Sequence, residues 1–447
     1  MGDAPRAGRF AGFSPGLVTV LVLGISGGAA GVAGMVEVSA NIGQLQPNIS
    51  FGYGFTAIIV AFLARLNPLA VIVAGLVVAL AEMGGDAAQI AMGIPKVVTG
   101  VFKGILLFML LAGETFNRFH VEFRLPGTAA RAAATAATKE SGSVYEELIL
   151  TVLMTSVPLV YAAIGELVVE RSGVLNLGVE GMMLMGAVAA FGIAMVSGSL
   201  FLGVLAGALA GMLTASLFGI LVLGFATNQV ATGLALTIFG TGLSGLVGAP
   251  LIGKAIEGLP QISLPVLSDL PVVGKLVFSH DLVAYGSVVM VVVVAYFLKR
   301  TRAGLVLRAI GDNHDSAHAL GYPVLGVRFA AVLFGGMMAG IGGAYLPLML
   351  TPHWAEGMTA GRGWIALALV VFASWMPWRV LVGALIFGGI TIMQLAGQAE
   401  GWTIPSQFLS MLPYLATIIV LVLISGNREF ALANSPACLG RAFHAGK

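Results

Sequence analysis

The side chains best placed to do chemistry lie in one apolar stretch. From Gly165 to Met185 the chain reads GELVVERSGVLNLGVEGMMLM, setting Glu166, Glu170, Arg171, Asn176 and Glu180 where the surroundings are otherwise apolar. Ionisable groups inside a membrane segment are costly, and they face a bundle interior, a partner group or a solute pathway. Asn176 and Glu180 are four residues apart, as are Glu166 and Glu170, so each pair shares a helix face. Asn176 offers both a donor and an acceptor, which suits a polar solute passing between helices. The same groups serve equally for hydrogen bonding between helices, and the residues alone leave both roles open. Asn228 and Gln229 open a further polar patch within an apolar span, with the same two readings. Glu170 and Arg171 read as groups near a membrane face.

A second polar cluster differs in kind. Residues 300–328 read RTRAGLVLRAIGDNHDSAHALGYPVLGVR, and Lys299, Arg300, Arg302, Arg308 and Arg328 make this the densest basic cluster in the chain. Basic loops between apolar spans stay on the cytoplasmic side. The pattern predicts a short helix, a turn at Gly311-Asp312-Asn313 capped by Asp312 or Asn313, and a second short helix to Leu320. Such a loop gives a soluble motor a surface to grip; it is also the composition of a solvated loop that only sets topology. Loop 250–282, with Pro260, Pro265 and Pro271, is expected on the outer face.

Other chemistries find little support. Gly248 to Ala255 reads GAPLIGKA, close to a P-loop, but Ala255 replaces the hydroxyl and the string leaves an apolar span rather than a strand. His314 and His318 share i, i+4 spacing without further metal ligands, so no metal and no cofactor is expected. No nucleophile–base arrangement stands out, and the chain reads as a non-enzyme. A net charge of +2 implies no nucleic-acid partner, and one cysteine, Cys438, allows no internal disulfide.

The elements that position these residues are membrane helices. The chain is 58% hydrophobic and 9% charged, with mean hydropathy +0.99. That composition indicates an all-α, polytopic integral membrane bundle in contact with lipid. Apolar runs long enough for a ~30 Å hydrocarbon core give about thirteen membrane segments. They fall near 17–38, 52–65, 67–84, 97–113, 148–168, 174–196, 200–223, 228–249, 283–299, 328–350, 363–375, 377–397 and 407–425. The short ones, 52–65 and 363–375, are expected to be half-helices or re-entrant. Gly203, Gly207 and Gly211, and Gly336 and Gly340, have the spacing that lets helices approach closely. Between Leu125 and Ser143 the composition turns to Ala, Thr, Gly and Ser, as in a linker.

Sliding the chain on itself reveals an internal repeat. At an offset of 309 residues Gly12 falls on Gly321, Gly27 on Gly336, Gly31 on Gly340, Gly34 on Gly343, Gly52 on Gly361, Gly54 on Gly363, Ala57 on Ala366 and Pro68 on Pro377. One inserted residue later, Ile94-Pro95 meets Ile404-Pro405. Shared hydrophobicity alone does not align Gly with Gly and Pro with Pro. The first piece therefore reads as a copy of the last four membrane segments.

These motifs carry a resemblance. ERSGVLNLGVEG (170–181), TRAGLVLRAIGDN (301–313) with Ala317 and Gly321, and TPHWAEGMTAGRGWIALA (351–368) resemble signatures of the ABC-type permeases of nucleoside and simple-sugar importers. QLQPNISFGYGFTAIIVAF (44–62) is the counterpart of the last motif in the first piece, and resembles the larger companion permease of such importers. The resemblance implies a loop docked on an ATPase through Arg302, Gly304, Arg308, Gly311, Asn313 and Gly321. It makes the 170–181 string a mark of the fold near the pore, with Asn176, Glu180 and Asn228 as candidate pathway residues.

The domain expectation is a partial permease module at 1–125, a linker at 126–144, a nearly complete module at 145–428 and a cytoplasmic tail at 429–447. Expected partners are ATPase subunits, an extracytoplasmic solute-binding lipoprotein, the bilayer of a bacterial plasma membrane, and a companion permease or separate front half. A shortened reading of a longer gene is the favoured account of the partial module. The expected function is ATP-driven import of nucleosides, with simple sugars second and a proton-coupled transporter using Glu166, Glu170 or Glu180 as the alternative of another class. Five spans between residue 148 and the basic loop set the linker outside, whereas Arg118, Arg124, Arg131 and Lys139 favour the inside.

Overall fold

The architecture comes from a computed structural model, which describes residues 12–44, 52–64, 66–92, 144–263, 279–399 and 434–443, together with scattered positions at 8–9, 98–109 and 408–419. It is helical apart from one two-stranded ribbon among these residues. In chain order the helices are α1 (Pro15–Val36), α2 (Tyr53–Leu63), α3 (Pro68–Met92), α4 (Val144–Arg171), α5 (Val179–Ser197), α6 (Leu200–Gly219) and α7 (Gln229–Gly248). Then come α8 (Leu282–Arg300), α9 (Arg302–Asp312), α10 (His314–Ala319), α11 (Val324–Tyr345), α12 (Arg362–Phe372) and α13 (Pro377–Ala399). Strands β1 (Gln261–Ser263) and β2 (Ser279–Asp281) pair antiparallel in the loop before α8.

Side-chain caps fix several of these starts. Ser199 opens α6, Asn228 α7, Asp281 α8, Thr301 α9 and Asn313 α10, each accepting from a backbone N–H one turn in. Such caps satisfy donors that a helix leaves unpaired. Of the two residues expected to cap the second loop helix, Asn313 does so, with Ser316 N donating at 3.0 Å.

Among the described residues nine helices are long and apolar enough to cross a membrane, against the thirteen segments expected. The expected segments near 97–113 and 407–425 lie mostly outside the described residues. Helix α12 has 11 residues, about 16 Å of rise, and cannot span the bilayer. That agrees with the half-helix expected at 363–375.

The chain divides into two compact units, residues 1–61 and 62–447. In the larger one α4 is the axis: 83% of its apolar window is buried, against 28% for α8. Helix α11 packs against α6, α4 and α5, and α13 against α4. Close approach depends on glycine. A methyl group on Gly336, Gly340 or Gly343 would collide with Ala215 Cβ, Gly207 O or Met183 O respectively.

The 309-residue repeat reappears as local geometry. Helix α1 runs Pro15–Val36 and α11 Val324–Tyr345, and each continues into a wider π-helical turn, Glu37–Ile42 and Leu346–Leu350. Helix α2 and helix α12 match end for end, and α3 and α13 start at paired prolines. Left-handed backbone recurs at Gly12 and Gly321 (φ 83° and 86°), Gly52 and Gly361 (86° and 81°), and Leu66 and Trp375 (58° and 54°). The surroundings differ. Helix α1 buries none of its residues. Among the described residues, a methyl group on Gly27, Gly31 or Gly34 would meet nothing within 4 Å, unlike one on their copies in α11.

Candidate functional site

Helix α4 ends at Arg171, and seven residues of non-helical chain lead to α5. Their backbone polar groups need partners, and the polar string supplies them. Asn176 N and Nδ2 donate to the Glu166 carboxylate at 3.2 and 3.3 Å. Gly178 N donates to Asn176 Oδ1 at 2.9 Å, and Leu175 N to Gln229 Oε1 at 2.8 Å. Thr237 Oγ1 donates to Leu177 O at 3.0 Å. Asn176 and Glu166 are buried, so these bonds replace the water that the turn lacks.

Glu180 sits at the start of α5 and holds a distant element. Thr359 Oγ1 and Gly361 N donate to its Oε1 at 2.6 and 2.8 Å, and Gly363 N to its Oε2 at 2.6 Å. Both Gly361 and Gly363 belong to the N-terminus of α12, where free N–H groups and the helix dipole favour a carboxylate. At the other end of α12, Trp375 Nε1 donates to Glu170 Oε2 at 2.6 Å and Arg171 donates to Trp375 O at 3.1 Å. The half-helix is thus clamped at both ends by the polar string. Asn228 is exposed and caps α7, its Oδ1 accepting from Ala231 N at 3.0 Å.

The basic loop forms a packed unit. Gly304 lies against Phe297 O and Gly311 against Arg171 O, each so closely that a methyl group would collide. Ile310, Ala317, Val324 and Phe443 form a small apolar core. Arg302 and Asn313 are exposed, Arg308 is half-buried, and Gly321 follows α10 in the left-handed conformation.

Arg328, fully buried, ties three segments together. It donates from Nε to Ser172 O at 3.0 Å and from a terminal nitrogen to Arg441 O at 3.1 Å, and its other terminal nitrogen is 3.0 Å from His314 Nδ1. The tail completes the junction. Cys438 N donates to Gly311 O at 2.9 Å and Gly440 N to Gly173 O at 3.1 Å. Phe443 stacks edge-on between His314 and His318, at 5.3 and 5.2 Å. Burial foremost, then Arg328, pushes the His314 pKa below its ordinary value; Arg441 adds to this and Asp315 opposes it.

The structure therefore brings Gly304, Gly311 and Arg308 into one unit against the end of α4, and sets Asn176 and Glu180 in the adjoining polar scaffold. It does not bring Asn228 into that network. Sequence reasoning missed the bond from Glu180 to α12 and the docking of residues 434–443. Neither has a local signal: Glu180 and Gly361 are far apart in the chain, and the tail shows no apolar period.

A helical, polytopic membrane protein with a half-helix clamped by carboxylates and a packed basic loop is the class these features define. The chain belongs to the family described as branched-chain amino acid transport system / permease component, whose pattern matches residues 1–111 and 148–424. It is 40% identical over 285 residues to a putative glucose ABC transporter permease of Haloferax volcanii, covering 59% of this chain and 87% of that one. It is 32% identical over 293 residues to a nucleoside ABC transporter permease of Lactococcus lactis (63% and 92% of the two chains). A guanosine ABC transporter permease of Bacillus subtilis is 29% identical over 298 residues (63% and 93%). No solved structure matches the chain.

Proposed function

We propose that this chain is the membrane-spanning permease subunit of an ATP-driven importer, carrying nucleosides by alternating access across a bacterial plasma membrane. The carrying observation is the basic loop, which is a packed unit seated directly on the end of α4 through Gly311 and Arg328. A separate ATPase would grip its exposed face at Arg302, Arg308 and Asn313. Gly304, Gly311 and Gly321 set the shape of that face, and closure of the ATPases would reach α4, α5 and α12 through the junction. An extracytoplasmic lipoprotein would deliver solute at the opposite end. Glu180 then acts on the pathway by holding α12, Asn176 by fixing the turn between α4 and α5, and Asn228 by placing the start of α7.

The nucleoside reading follows the nucleoside and guanosine relatives. Simple sugars are the second reading, favoured by the 40% identity to a putative glucose permease. Residues 1–125 are read as the back half of a companion module and 145–428 as a nearly whole one, joined by the linker at 126–144; the family match in two blocks supports this. The glycine face of α1 supports a partner resembling α4–α6, since its copy in α11 is covered by those helices. Residues 429–447 are read as lying on the cytoplasmic side with the loop they touch.

The test is uptake in vesicles holding the chain, its ATPase and its binding protein. Nucleoside uptake should follow ATP and survive an uncoupler while ATP is maintained. Collapse with the proton gradient at constant ATP would establish the proton-coupled alternative instead.

A further inference from the structure

Beneath the basic loop lies a cleft that the transport reading does not use. Its volume is about 490 Å³, and Val168 of α4, Val294 and Phe297 of α8, Leu307 of α9, and Ala331 and Phe334 of α11 line its walls. Every lining side chain is aliphatic or aromatic. The cleft opens past the exposed Val293 and Ala330, beside a face of α8 that exposes Val288, Val289, Val292 and Tyr296. That face is suited to hydrocarbon, so the opening is towards the bilayer and not towards water.

The chain between two lining residues, Phe297 and Ala303, carries Lys299, Arg300 and Arg302, all exposed. Among the described residues His314–Asp315 is the one ion pair, and none of these three cations is in it. An apolar slot with three unpaired cations at its rim is complementary to a molecule with a long apolar tail and an anionic head. Basic pockets between membrane helices on the cytoplasmic side bind such headgroups.

We propose that this cleft holds an acyl chain of an anionic phospholipid of the cytoplasmic leaflet, with its phosphate on Lys299 and Arg300. Long cationic side chains can lay their stems along an apolar rim while their charges reach the headgroup level. The lipid fills the space under α9, so it supports the loop from the membrane side. The site stands on the cleft and its charges, and it does not depend on which solute is carried.

The test reconstitutes the full chain in nanodiscs of phosphatidylcholine with or without phosphatidylglycerol, and reads retained lipid by native mass spectrometry. Phosphatidylglycerol should be retained over phosphatidylcholine, and each cation removed in Lys299→Gln and Arg300→Gln should weaken retention about fivefold. Ala330→Trp, which blocks the opening and leaves the charges, should also abolish retention; circular dichroism and gel filtration confirm that each variant is folded. Equal retention of the two lipids, unchanged by the charge variants, overturns the proposal. So does loss in the charge variants with retention in a folded Ala330→Trp, since that is attraction to the surface without a tail in the cleft. Exclusion of lipid from the cleft by a copurifying membrane protein overturns it as well, and identifies a protein interface.

Discussion

Arg328→Met removes three bonds from the junction while keeping an unbranched apolar side chain in place. Ser172 O, Arg441 O and His314 Nδ1 all lose the partner that held them. Hydrogen bonds to a charged group contribute about 1.5–3 kcal/mol each, and bonds sharing one guanidinium are not additive. Removing the buried charge also removes its desolvation cost, so a net loss of about 3 kcal/mol is the working figure. That loss falls on the tail, which otherwise rests on two backbone bonds, the Cys438 Sγ contact to Asp312 O at 3.5 Å, and Phe443. Each 1.4 kcal/mol is tenfold, so tail opening should rise by about a hundredfold. Hydrogen exchange should report this at Cys438 and Gly440, whose amides are bonded to Gly311 and Gly173, while the amides of α4 and α11 stay protected. Uptake should fall with the tail loosened, and removal of residues 434–447 should have the same effect. Unchanged exchange at Cys438 and Gly440 would refute the claim that Arg328 holds the tail.

Three further outcomes follow from neighbouring geometry. Gly311→Val drives a side chain into Arg171 O and should abolish solute-stimulated ATP hydrolysis and uptake, while docking of the solute-loaded binding protein, read by surface plasmon resonance, persists. Glu180→Leu strips three donors at α12 of their acceptor and should lower stability by about 3 kcal/mol, read as a lower melting temperature in detergent; Glu180→Gln should lose less. The depressed pKa of His314 means that the folded junction favours the neutral ring, facing Arg328 from α11, Arg441 from the tail and Asp315 on its own helix. An unfolded histidine titrates near 6.5, so this stabilisation is complete above that value and is lost as pH falls below it towards the folded pKa. The protection factors of the tail amides, which remove the intrinsic pH dependence of exchange, should therefore be flat from about pH 7 upward and fall on acidification, and His314→Asn should flatten that dependence.

How much of this was legible depends on the range of the interaction. The short helices of the basic loop, the cap at Asn313 and the half-helix at 362–372 all rest on residues within a turn or two of each other, and the sequence pattern reached them. The polar string was legible as a site, but its use was not. Glu180 and Asn176 look alike in spacing; one holds a helix start far along the chain, and the other satisfies its own turn. Their partners are backbone N–H groups, which every residue but proline carries and which leave no mark in a sequence. The tail was hidden for the same reason, since Cys438 and Gly440 attach through backbone atoms.

The repeat shows the limit from the other side. Helices α1 and α11 share length, glycine register, the following π-helical turn and the left-handed residue before them, so local conformation follows from local sequence in both copies. Burial does not: α11 is covered on its glycine face by α6, whereas among the described residues α1 has no such cover. A glycine face gains nothing by itself, because its stabilisation comes from the backbone that approaches it. Under the proposed function, the first copy is the complement of a helix pair like α5 and α6 in its own register. Replacing Gly31 by leucine in α1 should leave its helix intact and weaken assembly with the partner that bears those helices, as Gly340→Leu, colliding with Gly207, should unseat α11 from α6. Copurification and cross-linking at the α1 face would measure the first effect and thermal unfolding the second. Unchanged assembly in the Gly31 variant would mean that lipid, not protein, covers α1.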